Sequence, residues 1–284
     1  MANLKEIRSR ISSVSSTMKI TSAMKMVSAA KLKKSQDRMT NIKPYSRGLS
    51  NTIQNLLPNV SQSDIKLKTH ASTNGKTLII AISSNRGLCG GFNANIYKEA
   101  QKKNSTESTE VYAIGKKVTE LFKRSNYNLI KSNTEVLDNS QFSESKKISN
   151  KIITSFLNGD WERVILIYNK FKNAATQVVT TEQLLPIEIS SEQVNNKKDY
   201  IFEPNKTSII NSLVPSKIHT QLFEAILNSI ASEQGARMTA MHKATDNANE
   251  LKQDLTLSYN RQRQAAITNE ILEIVAGAEA LKGS

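Results

Sequence analysis

PSKIHTQLFEAILNSIASEQGARMTAMHKATDNANELKQDLTLSYNRQRQAAITNEILEIVAG, residues 215–277, decides the fold. Behind Pro215 it holds no further proline and, before Gly277, one glycine, Gly235. About 60 residues at 1.5 Å each make a helix of about 90 Å, where an ordinary helix has about three turns. Such an element is a rod. Ser216, directly after the proline, reads as its cap. Ile218, Leu222, Ile226 and Ile230 mark an apolar stripe, followed by Ala236, Ala240, Ala244 and Ala248 at steps of four and then Leu251 and Leu255. The alanine column reads as the zone where a second helix approaches closely. Farther on, SYNRQRQAAITNEILEIVAGAEAL (258–281) sets polar groups among apolar positions, as in a shaft read by surrounding partners.

A partner helix stands at the other end of the chain. Leu4, Ile7, Ile11, Val14 and Met18 alternate steps of three and four, a heptad pattern. Asn3 precedes it as N-cap, with Glu6 three residues later. Past Met18 the apolar register lapses at Thr21, Lys25 and Ser28, and the stripe resumes out of phase at Ile20, Met24 and Val27. The helix can continue to Pro44 or, with a break, to Pro58. Both terminal helices attach to one central insert, so they should lie antiparallel. Ending at Pro44, the first helix sets Asn3 opposite about residue 256 and leaves the last twenty or so residues as a single helix; ending at Pro58, it shortens that overhang. Either way Ile271, Leu272, Ile274 and Val275 need a sheath to leave water.

Between the helices the pattern changes. Short β-rich runs stand at 77–83 (TLIIAIS), 110–114 (EVYAI), 163–168 (RVILIY) and 176–181, with helical patterns at 94–103, 116–125 and 143–157. Strands alternating with helices predict an α/β unit on a largely parallel sheet. Residues 197–206 (KKDYIFEPNK) read as a loop or hairpin leading out. The predicted organisation is a shaft helix and connector over 1–70, a central α/β domain over 71–206 and a second shaft helix over 207–284.

A formal charge of +14 implies an acidic partner, and 5% aromatics fits helices packed through aliphatic and small side chains. One cysteine, Cys89, gives no internal disulfide and no zinc spacing, and His70, His219 and His242 are scattered. No apolar run is long enough to cross a bilayer, and MANLKEIRSRI has no signal core, so cytosolic exposure is expected. The first helix is rich in Lys and Arg, but residues 1–44 hold no aromatic to stack on bases, which disfavours nucleic acid.

SSNRGLCGGFN, residues 83–93, lies between a strand and a helix, where an α/β fold takes phosphate. It fits neither the dinucleotide fingerprint nor the P-loop, so the glycines read as a tight turn with close packing. Arg86 keeps a nucleotide site in view and also suits a partner contact. Cys89 reads as a small buried filler. Glu270 and Glu273 share a helix face but have no third ligand type beside them, so solvation explains them. On the residues alone, a nucleotide-binding enzyme with a coiled-coil arm and a basic nucleic-acid-binding coiled coil stay open beside a shaft.

Four segments, in order, resemble the γ subunit of rotary ATP synthases over nearly the whole chain. They are KITSAMKMVSAAKLKKSQ (19–36), SNRGLCGGFN (84–93), ASEQGARMTAMHKATDNA (231–248) and ITNEILEIVAGAEA (267–280). The last fits a family pattern through Ile267, Thr268, Glu270, Glu273, Gly277 and Ala278. Asn85 departs from a commoner acidic residue, and Gly235 from a commoner alanine. The resemblance implies an α/β fold class with two long antiparallel terminal helices coiled about each other around a Rossmann-like domain. It implies a non-catalytic central rotor that couples ion flow through a membrane ring to ATP synthesis on the β subunits of an α/β hexamer. No cofactor, metal, nucleic acid or membrane insertion is implied. The implied partners are α, β, ε and the c-ring, at the cytoplasmic face of the cell membrane. Carried over by position, Arg263 and Gln264 would hydrogen-bond a β loop, with Arg237 as a second polar contact. Met24 and Lys25 would pass an acidic β loop, Tyr200, Phe202 and Glu203 would face the ring, and residues 271–284 would sit in an apolar bearing.

Overall fold

The computed structural model describes residues 4–56, 67, 75–103, 109–125, 127–187, 203 and 205–282. They form six helices and five strands. Helices α1 (Leu4–Leu56) and α6 (Lys206–Lys282) bracket β1 (Thr77–Ile82), α2 (Phe92–Lys103), β2 (Thr109–Ile114), α3 (Lys116–Lys123), β3 (Asn128–Asn133), α4 (Glu135–Asn139), α5 (Phe142–Leu157), β4 (Arg163–Phe171) and β5 (Gln177–Leu185). The chain divides into two compact units, one of Ser28–Met238 and one of Met1–Val27 with Thr239–Ser284.

In the unit Ser28–Met238 the sheet runs β3-β2-β1-β4-β5. Its first four strands are parallel, with Thr77 opposite both Thr109 and Arg163, and β5 returns antiparallel to β4. Side chains alternate faces along a strand, so β1 feeds two cores. Leu78, Ile80 and Ile82 pack with α5 (Ile148, Ile152, Phe156) and the first turns of α6, while Ile79 and Ala81 meet Ile96, Val118 and Phe122 of α2 and α3. Burial on both faces explains the unbroken apolar run of β1. Strand β3, NLIKSN, is an exposed sheet edge with no apolar run, which is why its sequence carried no strand signal. The five-residue α4 is likewise too short to show a period.

Helix α6 starts ten residues before the expected cap. Asn205 is the cap, its side-chain oxygen accepting the Ser208 amide at 2.8 Å, and Pro215 lies inside the helix. An interior proline costs about 3 kcal/mol. Ile210, Val214, Ile218 and Leu222 are fully or almost fully buried around it, each worth about 1.5–3 kcal/mol on burial, so packing outweighs the break. Pro44 likewise lies inside α1. It is on the exposed side, where water can replace its missing donor, while Met39, Leu49, Ile53 and Leu56 pin the helix before and after it. Of the two expected ends for this helix, Pro44 is therefore excluded. Asn3, the expected cap, lies outside the described residues, and Glu6 bonds Arg10 at 2.7 Å.

The seam of α1 never changes phase. Positions 4, 7, 11, 14, 18, 21, 25, 28, 32, 35, 39, 42, 46, 49, 53 and 56 are buried or half-buried in unbroken steps of three and four. Thr21 and Ser28 are in it, whereas Ile20 (60% exposed) and Val27 point out. The expected slip is thus absent: small polar residues hold the seam through the region where apolar ones face water. On α6 none of the four alanines at steps of four is exposed: Ala236, Ala240 and Ala244 are half-buried. Only Ala248 of the four is buried.

Candidate functional site

Three places carry the residues singled out by the sequence. The first is the glycine-rich turn after β1. Ser84 binds Asn93 Oδ1 through its amide (3.0 Å) and its hydroxyl (2.9 Å), which closes the turn onto the start of α2. Asn85 braces the other side: its amide nitrogen donates to the Thr134 carbonyl (2.9 Å) and to Asp138 Oδ2 (3.1 Å), and its oxygen accepts the Lys116 amide at the start of α3 (3.1 Å). An acidic residue here would set a carboxylate against Asp138, so the amide at 85 suits its surroundings. Cys89 is buried, and burial pushes its thiol up from the ordinary range, against the pull of the Ser84 hydrogen bond and of Arg237. That environment makes it an inert filler.

In open α/β sheets a ligand sits at the carboxyl ends of the strands where the strand order reverses. Here that crevice is taken by α6. Ser232 donates to the Asn169 carbonyl of β4 at 2.9 Å. Gly235 passes so near the β4–β5 hairpin that a Cβ on it would stand 3.2 Å from the Ala174 carbonyl oxygen. Arg237, 7% exposed, pairs with Glu233 at 2.7 Å and donates to the Arg86 and Gly87 carbonyls at 3.1 and 3.2 Å. A guanidinium thus occupies the polar end of the turn. Arg237, which the resemblance assigns to a partner contact, thus has its polar groups engaged inside the chain. Burial raises the Glu233 carboxyl against the pull of Arg237. The i, i+4 spacing of Glu233 and Arg237 was visible in the sequence; their burial was not.

The second place is the paired helices of the unit formed by Met1–Val27 and Thr239–Ser284. Thr21 Oγ1 lies 2.8 Å from Thr245 Oγ1, and Lys25 Nζ lies 3.4 Å from His242 Nδ1. Four residues forward on α1 are three back on α6, so the pair is antiparallel. His242 Nδ1 also lies 3.3 Å from Asp246 Oδ2. Lys25, a member of this polar cluster, and its neighbour in sequence Met24 are both half-buried.

The third place is the end of α6. Continued at equal rise, the Thr21–Thr245 register sets Leu4 beside about residue 262 rather than 256. Among the described residues Gln262 is the last half-buried side chain, and every residue from Arg263 through 279 is exposed. Arg263, Gln264, Ile267, Thr268, Glu270, Glu273, Gly277 and Ala278 all belong to this stretch. Thr268 donates its hydroxyl to the Gln264 carbonyl at 2.9 Å. Ile267, Ile271, Leu272, Ile274 (66% exposed) and Val275 put five large apolar side chains in water within nine residues.

Glu203 is exposed, while Tyr200 and Phe202 lie outside the described residues. Among the described residues no group of three or more His, Cys, Asp or Glu could hold a metal, and no helix is long and apolar enough to cross a membrane.

A family model described as ATP synthase matches residues 3–281. The chain is 50% identical to the ATP synthase gamma chain of Christiangramia forsetii and 52% identical to that of Flavobacterium psychrophilum, with 100% of both chains covered in each case. Its fold matches a chain from the central stalk and c-ring of the Tetrahymena thermophila mitochondrial ATP synthase, with TM-score 0.62, 29% identity, and 79% of this chain and 99% of that one covered. A chain of the Euglena gracilis mitochondrial ATP synthase shares the fold with TM-score 0.68 at 21% identity, over 98% and 94% of the two chains. The antiparallel terminal helices, the α/β insert between them and these likenesses agree: the chain belongs to the ATP synthase gamma chain family.

Proposed function

We propose that this chain is the central shaft of a proton-translocating ATP synthase, turning inside a hexamer of α and β subunits and coupling ion flow through the membrane ring to ATP synthesis. The observation that carries the reading is the bare end of α6. Residues 263–279 are exposed along one helix with five large apolar side chains, more than a lone surface helix leaves in water. A surrounding ring of subunits supplies the sheath. The shaft does no chemistry of its own. It is a ligand with different affinities for the conformations of β, and turning it changes which β meets which face.

Within this reading Arg263 and Gln264 hydrogen-bond a β loop, Met24 and Lys25 pass an acidic β loop, and residues 271–284 turn in an apolar bearing. Tyr200, Phe202 and Glu203 face the c-ring, ε is a further partner, and the whole lies peripherally on the cytoplasmic face of the cell membrane. The charge of +14 favours acidic loops as the stator surface. The test is the double variant R263A/Q264A in the assembled enzyme. ATP synthesis should fall at least about tenfold, the loss of about 1.4 kcal/mol of differential binding, with assembly retained. Synthesis at the wild-type rate would remove these two residues from the coupling contact.

A further inference from the structure

Arg237 joins three things that no other described side chain brings together: the shaft helix, a buried carboxylate and the backbone of the glycine-rich turn. Nη1 holds Glu233 at 2.7 Å, and Nη2 donates to the carbonyls of Arg86 and Gly87 at 3.1 and 3.2 Å. Glu233 and Arg237 lie one turn apart on α6, so the carboxylate fixes the guanidinium and the guanidinium fixes the turn. The turn needs holding. Leu88 has φ of 62° without being glycine, and its side chain is 65% exposed, so its own packing does not fix it. A left-handed conformation at a branched residue persists where its surroundings impose it. From the far side Asn85 ties the same turn to α3, Thr134 and Asp138.

We propose that Arg237 is a positioning residue: it clamps the glycine-rich turn to α6, so that the turn's outer surface at Arg86 and Leu88 moves with the shaft as one body. The clamp stands on the geometry alone. Its mechanical consequence rests on the shaft reading above. The guanidinium geometry matters, because two nitrogens in one plane serve a carboxylate on one side and two carbonyls on the other.

Cys89 reports on the clamp directly. It is the only cysteine of the chain and is 1% exposed beneath the turn, so an aromatic disulfide reagent added to the full-length chain labels it only when the turn opens. In R237Q, labelling under native conditions should accelerate by about tenfold or more. In E233Q, where the glutamine side-chain oxygen still accepts from Nη1 and so keeps the guanidinium on its carbonyls, the rate should stay within about threefold of wild type. If R237Q does not fold, R237K takes its place with the same expectations, since one ammonium on a shorter stem cannot serve both sides. Equal labelling of R237Q and wild type, or equal acceleration in R237Q and E233Q, overturns the clamp. In the assembled enzyme, protons pumped per ATP hydrolysed should fall in R237Q and hold in E233Q. Accelerated labelling with an unchanged pumping ratio keeps the clamp and overturns its role in the shaft.

Discussion

At Gly115 the backbone passes from β2 into α3 with φ of 107°, and a Cβ there would stand 2.6 Å from Ser83 Oγ and 2.9 Å from the Ser83 carbonyl. Neither the dihedral nor the contact leaves room for another residue, so Gly115→Ala should cost about 3 kcal/mol, read by urea or thermal unfolding. Asn85 is specific in another way. Asn85→Asp puts a second carboxylate beside Asp138 and loses two donated hydrogen bonds, for about 1–2 kcal/mol; adding Asp138→Asn should recover most of it. His219 sets a pH limit. Its ring is buried with Nδ1 2.7 Å from Ser149 Oγ, and burial, followed by the charge of Lys146, lowers its pKa from the ordinary value. The folded chain therefore holds the neutral ring where the unfolded chain takes up a proton. This contribution is complete above about pH 6.5 and is lost as pH falls from there toward the lowered folded value. Wild type should lose Tm relative to H219Q between about pH 7 and pH 5; parallel curves would assign the ring no such part.

The elements separate what local pattern can tell from what packing decides. The strands β1, β2 and β4 and the helices α2, α3 and α5 between them were legible, because both faces of the sheet are covered and the apolar runs are bounded by turns. Strand β3 was not, because a polar edge strand has no pattern apart from its neighbours. Pro215 and Pro44 misled for one reason: a breaker acts on the backbone locally, while the burial that overrides it comes from residues on both sides. The seam of α1 was legible in its first turns and misread at Thr21 and Ser28. Hydrophobicity alone follows Ile20 and Val27, but two helices that approach closely select small residues, and Thr21 gains a hydrogen bond across the pair from Thr245. Ile20→Ser and Val27→Ser should then leave the unfolding free energy within about 0.5 kcal/mol, whereas Ser28→Leu should cost about 1–3 kcal/mol by overpacking. Reversal of that order would restore the slipped stripe.

For the whole molecule, the bare tip of α6 was the part of the site most legible in the sequence, since apolar residues continue past the point where the partner helix must end. What stayed hidden was how the glycine-rich turn is used. Its strand–turn–helix context reads as a phosphate site until α6 is laid across the strand ends and Arg237 into the turn, a contact between residues about 150 apart in sequence that no local pattern encodes. The same crossing ties the α/β domain to a shaft helix, as a stalk transmitting torque requires. Rotation tests this most directly. With Cys89→Ser and Glu203→Cys, a probe on residue 203 in a surface-held α/β hexamer should turn in one direction while ATP is hydrolysed, and stop when ATP is exhausted. Sustained hydrolysis by that complex with the probe stationary would contradict the account.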